Sequence, residues 1–402
     1  MKLVIHCTWF LITSVLMLFI LRQFIQRGYT RINKGVLVIF FTTVFLSIIP
    51  LSFHVTTKYV FFFPYLIFLF FLFYDKKYLS PFVDVATIFM LVLIIFAIIG
   101  FLYAFVGKPP IMEGSVQGGR SYYWYLTTGA PKISNLLGGN LIRPAGVYNE
   151  PGALSYYLCT ICFLRVFAKK SDTVTFVLLL LGNITFSAIH AIIFILFVLH
   201  LAVKYKKKKV FSLYAIVVIT ATIVVYLPIK ETMDSLLFTR FTKANTKGII
   251  EGTNRGLLFN NAMGVIKEDN TVLIWGMPRD SDGLSPLDRE KFKNIDGDRY
   301  YDNPLSPILQ YGIFVAWLYY FYLSFFLFCG VIDRKHFFIY VAIFMMLLQR
   351  PDFLSYSITS IPLILFLTSY DLLKNRIKKR MSVKKYSLGA TSKLLIWENK
   401  CP

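Results

Sequence analysis

The sequence predicts an all-α integral membrane protein with about eleven transmembrane helices and two large outer loops, the second partly helical. Three observations carry that prediction. Hydrophobic residues make up 56% of the 402 residues and charged residues only 16%, whereas an ordinary soluble domain has about 45–50% and about 25%. The apolar residues gather in long runs, several near the roughly 18 residues that mark a membrane span. The polar connections between the runs alternate in character along the chain. A mean hydropathy of +0.62 with 17% aromatics also excludes a disordered chain.

The runs follow in order. Leu3–Leu21 comes after a single lysine and has no small-residue cleavage site before Arg22, so it reads as a retained span, not a signal peptide. Gly35–Phe53, Tyr59–Tyr74 and Val85–Val106 complete four spans over residues 1–106. Residues 107–151 form the first outer loop. Gly152–Ala168, Thr173–Phe186, Ala188–Val203 and Val210–Ile229 supply spans five to eight over residues 152–229. The stretch Thr173–Val203 is too long for one span and short for two; Asn183, Thr185 and Ser187 place its turn near Phe186–Ser187. Residues 230–304 form the second outer loop. Leu305–Ile332, Phe337–Leu348 and Leu354–Leu373 are the last three spans over residues 305–373, and a basic tail occupies 374–402. Each run defaults to a helix because a helix satisfies its own backbone hydrogen bonds in lipid.

The connections set the orientation. Arg22–Lys34, Asp75–Asp84, Lys169–Asp172, Lys204–Lys209, Asp333–His336 and the tail are short and basic, which places them on the cytoplasmic side. The two long loops and the amino terminus then face outward. Most of the net charge of +22 lies on those short connections, so it is an orientation signal and an attraction to anionic lipid, not a nucleic-acid surface. The outer segments are nearly balanced in charge. Of the five cysteines, Cys7, Cys159, Cys162 and Cys329 fall in apolar runs and Cys401 in the tail, which predicts no disulfide framework. The CxxC at Cys159 and Cys162 reads as helix filler.

The spans carry few ionisable groups. Arg165 lies near the cytoplasmic end of its helix, where it is expected to snorkel, and His190 and His200 lie in the seventh span. The midplane charges and broken helices of an ion-coupled transporter are missing from the pattern. Polar chemistry concentrates in the outer loops instead. The first loop ends in RPAGVYNEPGALSYYL, Arg143 to Leu158. Pro151 suits the first turn of the fifth span, Glu150 sits at the helix start, and Arg143 is placed to fold back toward it. The pair reads either as a helix cap with a partner arginine or as an anion-binding arginine next to a carboxylate base.

The second loop holds TNRGLLFNNAMGVIKED, with Leu258, Ala262, Val265 and Ile266 on one helical face. Thr253 or Asn254 caps this external helix, which lies against the membrane or the other loop, and Arg255 is in its first turn. Asp280, Asp282, Asp296 and Asp298 resemble pieces of a calcium loop but lack the glutamate at the twelfth loop position, so turns are expected and no metal. Asp302 and Asn303 precede the ninth span, and Arg350 and Asp352 lie on the outer turn between the last two. Arg350 at a membrane boundary either snorkels or holds a lipid pyrophosphate.

Together these features resemble the O-antigen polymerase and ligase superfamily. The layout of many spans, two enlarged outer loops and a basic tail carries the resemblance over the whole chain. More specifically, the R-x-x-G-x-Y-x-E-P run of Arg143, Gly146, Tyr148, Glu150 and Pro151 is similar to a motif of Wzy-type polymerases. Asp302-Asn303 followed by Leu305, Tyr311 and Gly312 is similar to the stretch entering a late span, where ligases typically carry His-Asn. Here aspartate stands at the histidine position, and neither large loop holds a histidine, which argues against a ligase.

The resemblance implies a polymerase of polysaccharide repeat units at the outer face of the bacterial inner membrane. It would transfer a glycan from undecaprenyl diphosphate to a lipid-linked acceptor repeat unit. Glu150 or Asp302 would act as base. Arg143, Arg255 and Arg350 would bind pyrophosphate, with Tyr148 and Asn303 contacting substrate. No cofactor, metal or nucleic acid is implied. A chain-length regulator and a flippase of the same pathway are expected partners. The competing readings are a ligase-type transferase and a flippase or transporter for lipid-linked oligosaccharides.

Overall fold

The computed structural model describes residues 22, 35–43, 67, 69–70, 73, 76–116, 120–130, 142–148, 150–205, 254–276, 279–280, 283–284, 303–349, 361–370 and 372–374. The expected spans Leu3–Leu21 and Val210–Ile229 lie outside them, as does most of Tyr59–Tyr74.

The first complete helix is α1, Lys76–Phe105. It starts earlier than the apolar run and absorbs most of the expected connection Asp75–Asp84, because Leu79 and Val83 already pack into the core. The first outer loop then departs from the all-α expectation. It folds into a three-stranded antiparallel sheet of β1 (Met112–Val116), β2 (Arg120–Tyr125) and β3 (Thr128–Ala130). Aromatic side chains favour a half-buried pleated surface, and the RSYYWY run of β2 supplies four in a row. Tyr125 packs with Ala104 of α1 and with Ala130 and Ile142 in a small core of its own.

Helix α2 (Pro151–Phe167) is the hub of the bundle, because nearly every side chain from Leu154 to Phe167 is buried. A helix apolar on all sides belongs in the centre, and α2 touches α1, α3 (Asp172–Gly182), α4 (Ala188–Tyr205) and α9 (Phe337–Gln349). The predicted turn between spans six and seven is present. α3 stops at Gly182, Asn183–Thr185 make one 3-10 turn, and Phe186 adopts φ 47° before α4 begins.

Beyond the second loop, the expected single span Leu305–Ile332 is broken. Gly312, at φ +68°, separates α7 (Ser306–Tyr311) from α8 (Ile313–Ile332). Phe366, in the helical residues 361–370, packs on Phe321, Tyr322 and Phe325 of α8. Among the described residues, three helices are long and apolar enough to cross a membrane: Tyr78–Phe105, Ala188–Tyr205 and Ile313–Ile332. Pro151–Phe167 and Asp172–Thr185 are apolar but shorter.

One end of the bundle is marked by a polar belt. Lys170 pairs with Asp84 at 2.5 Å. Asp172 accepts from both Lys204 Nζ and Tyr205 Oη. His336 Nδ1 meets Asp333 Oδ2 at 2.9 Å, and its ring stacks on His200 at 5.3 Å.

Arg165 departs from the snorkelling expectation. It is only 4% exposed and turns into the bundle. Its Nε donates to Thr175 Oγ1 at 3.0 Å, Nη1 to Thr87 Oγ1 at 2.7 Å and Nη2 to Ser171 O at 3.3 Å. Both threonine hydroxyls already donate to carbonyls four residues back, so they meet the guanidinium as acceptors. The arginine thereby cross-links α1, α2 and the start of α3, and neutral acceptors satisfy it because a planar fork can reach three directions at once. Replacing it by alanine removes charge-assisted hydrogen bonds and opens a cavity. Arg165→Ala is expected to cost about 2–4 kcal/mol, read as a lower melting temperature of the full chain in detergent, with Thr87→Val giving a smaller drop.

Candidate functional site

The site is built where α3 gives way to α4. A helix that ends leaves carbonyls without intrahelical partners, and its C-terminus carries partial negative charge. Asn183 Nδ2 meets the Leu179 and Leu180 carbonyls at 3.0 and 3.2 Å. Arg143 meets the next ones: Nε donates to Thr185 O at 3.4 Å and Nη2 to Phe186 O at 3.1 Å. The arginine that sequence reasoning singled out is therefore a clamp on the broken helix.

The segment 142–150 is held from its other side by the sheet. Gly129 N donates to Gly146 O at 2.9 Å and Ala145 N to Gly129 O at 2.8 Å. Gly146 N donates to Thr128 Oγ1 at 2.9 Å. Two glycines are needed for this seam. Gly146 takes φ +63°, which other residues rarely adopt, and a Cβ on Gly129 would lie 2.1 Å from the Tyr122 hydroxyl. That hydroxyl donates to the Tyr148 carbonyl. The Tyr148 ring stacks on Tyr157 of α2 with centroids 4.9 Å apart. Burial pushes the phenols of Tyr122 and Tyr148 up to about 12, so both remain protonated donors.

Glu150 follows at the head of α2 with Pro151 in the first turn, as the spacing predicts. Its backbone is extended (φ −142°, ψ 143°), its carboxylate makes no capping hydrogen bond to the helix, and the residue is exposed. Its carbonyl accepts from Ala153 N at 3.0 Å, so the helix starts without the side chain. This leaves the carboxylate at a positive helix end in the same segment as the arginine.

Beneath Glu150 lies a contact that sequence reasoning did not single out. His190 is fully buried; Nε2 lies 2.8 Å from Leu179 O, and Nδ1 lies 3.1 Å from Ser155 Oγ and 3.3 Å from Cys159 Sγ. A carbonyl only accepts, so Nε2 carries the proton and Ser155 donates to Nδ1. Gly182 passes so close that a Cβ there would meet the His190 ring at 2.5 Å. The start of α2 is thus pinned to the break between α3 and α4. A serine four residues beyond the proline and a histidine just after the predicted turn were the available signals.

The second candidate region has a small apolar cluster of its own. Helix α5 (Asn254–Glu268) places Ala262 and Val265 against Val272 of α6 (Val272–Trp275) and Leu309 of α7, with Ile266 packed alongside. This is the apolar face the sequence predicts. Arg255 is in the first turn of α5, and its side chain lies outside the described residues. Gly312 allows α6 to approach; a Cβ there would lie 2.0 Å from Ile274 O. Asn303 is buried, its Oδ1 accepting from Leu305 N at 2.8 Å and its N–H donating to Ser306 Oγ at 2.9 Å, which shapes the turn into α7.

Asp302 and Arg350 lie outside the described residues, as do Asp282, Asp296 and Asp298. Asp280 sits in a short hairpin of β4 (Arg279–Asp280) and β5 (Gly283–Leu284), in keeping with the turn reading. Arg143, Tyr148 and Glu150 are neighbours in sequence; in the structure Arg143 reaches the Thr185 and Phe186 carbonyls and Tyr148 stacks on Tyr157. Comparison with protein-family models, curated proteins and solved structures finds no match.

The two glycines separate conformational strain from steric conflict. Gly146→Ala is expected to cost about 1–2 kcal/mol for its positive φ alone, since only the Leu154 side chain at 3.6 Å is near. Gly129→Ala displaces Tyr122 and with it the bond to Tyr148 O. Melting temperatures in detergent should fall in the order wild type, Gly146→Ala, Gly129→Ala.

Proposed function

We propose that this chain is a polysaccharide repeat-unit polymerase of the Wzy type, acting at the outer face of a bacterial inner membrane. The observation that carries the reading is the Arg143–Glu150 segment. An exposed carboxylate stands at a helix start in the same short, clamped segment as an arginine, and the bundle around it is apolar. That arrangement suits a reaction whose donor already holds its leaving group. An acceptor hydroxyl loses its proton to Glu150, or to Asp302, as its oxygen bonds to the anomeric carbon of the donor glycan. The bond from that carbon to diphosphate breaks, and the lipid diphosphate leaves with the electron pair. Positive charge from Arg143, with Arg255 and Arg350 as further candidates, stabilises the departing anion. Tyr148 and Asn303 help shape the acceptor side. The donor and the acceptor are both undecaprenyl-diphosphate-linked oligosaccharides, and a chain-length regulator and a flippase act in the same pathway. The reaction requires no cofactor.

The test is deletion of the gene in its host, followed by electrophoretic sizing of surface polysaccharide and complementation. Deletion should leave single-repeat product; unattached full-length polymer would instead indicate a ligase. Loss of a general base typically costs about 10²–10⁴-fold in rate. Glu150→Gln should therefore collapse the polymer ladder at normal protein levels, while Glu150→Asp retains part of it. Full-length polymer from both Glu150→Gln and Asp302→Asn would remove the two carboxylates from the mechanism.

A further inference from the structure

Helix lengths, counted from the polar belt, place the Arg143–Glu150 segment at a definite height. The belt includes Asp84, Lys170, Asp172 and Lys204. At 1.5 Å per residue, the 17 residues of α2 lift Glu150 about 26 Å from the belt. By the same measure Asp172–Thr185 lifts the helix break about 21 Å. The hydrocarbon core of a bilayer is about 30 Å thick. Helix α1 rises higher, since from Asp84 to Phe105 it climbs about 32 Å.

The sheet gives an independent measure. Its β2–β3 turn does not sit above α1 but against its side. Thr127 Oγ1 donates to the Phe96 carbonyl at 2.6 Å. A Cβ on Gly100 would meet Tyr125 O at 2.5 Å and Thr128 Cγ2 at 2.4 Å. Phe96 and Gly100 lie about 18 and 24 Å above Asp84 along the helix. The turn therefore reaches down to the height of Glu150 and below the top of the core. The side chains it presents match that depth: Leu126 is 50% exposed, and Ile111 and Met112 at the start of β1 are 62% and 58% exposed. At the turn the backbone is partly satisfied: β2 is paired on both sides, Thr127 N donates to Tyr125 O at 2.7 Å, and the Thr127 hydroxyl is taken up by α1, whereas β1 is the open edge of the sheet.

We propose that the β2–β3 hairpin is a re-entrant element, its turn inserted among the acyl chains of the leaflet on the Glu150 side. The Arg143–Glu150 segment is then recessed, and a substrate reaches it sideways from the lipid, at the depth where an amphiphile holds its headgroup. The insertion needs only that the bundle spans a membrane and does not rest on the glycosyl-transfer reading.

The test places a diazirine-bearing analogue of leucine at position 126 in the full-length protein in native membranes, irradiates, and identifies adducts by mass spectrometry. The same residue at Val92, exposed on α1, and at Glu268, exposed on α5, brackets the result. Phospholipid adducts at Leu126 should match those at Val92 within about threefold and exceed those at Glu268 by at least about tenfold, as burial in hydrocarbon requires. A second probe at Met112 should behave like Leu126. Water adducts alone, or cross-links to another protein, at both positions while Val92 yields lipid would overturn the insertion. Because depth is read without any activity assay, this outcome is separable from loss of the polymerase reading.

Discussion

The grip of Arg143 on the carbonyls of Thr185 and Phe186 is the contact from which the site hangs. A helix broken inside an apolar bundle leaves carbonyls without helical partners, and a guanidinium satisfies them while offsetting the negative helix end. Because Nε and Nη2 of Arg143 are held there, the chain from Ile142 to Glu150 has a fixed starting point. The glycine seam at Gly129 and Gly146, the Tyr122 hydroxyl on Tyr148 O and the Tyr148–Tyr157 stack then determine its course. The His190–Ser155 contact ties α2 to the same break from below. Three elements far apart in sequence therefore converge on one short segment.

The belt at the opposite end follows a similar logic with different groups. Arg165 is buried among threonine hydroxyls and a carbonyl, Asp172 takes two donors from the end of α4, and Asp333 holds His336. Arg165 and Asp172 each answer groups on neighbouring helices, while Asp333 holds its own turn. Buried polar contacts of this kind specify which helices meet, while the apolar core supplies most of the contact area. The unequal helix lengths set the height of the site relative to α1.

Much of this was legible in the residues. Pro151 at the head of α2 and the break near Phe186 were readable because proline, asparagine and a strained turn act locally. The apolar face of α5 was readable because its period is helical. Other features were not. The sheet in the first loop depends on pairing across residues 112–130, and only the aromatic run of β2 hinted at it. The break at Gly312 exists because α6 presses its backbone against that point, a contact between segments far apart in the chain. The inward turn of Arg165 depended on Thr87 and Thr175, neither of which looks special by spacing.

Composition and periodicity by themselves determined that this is a helical protein with helices able to cross a membrane, helix-start chemistry marked Arg143, Glu150 and Pro151, and Tyr148 entered only through the family resemblance. Hydropathy is additive along the chain, so it survives without knowledge of the fold. Only the tertiary structure decided what Arg143 grips, why Gly129 and Gly146 must lack side chains, and how far below the top of α1 the segment lies. Those depend on distances between helices, and a one-dimensional pattern carries no information about which carbonyl a guanidinium will reach.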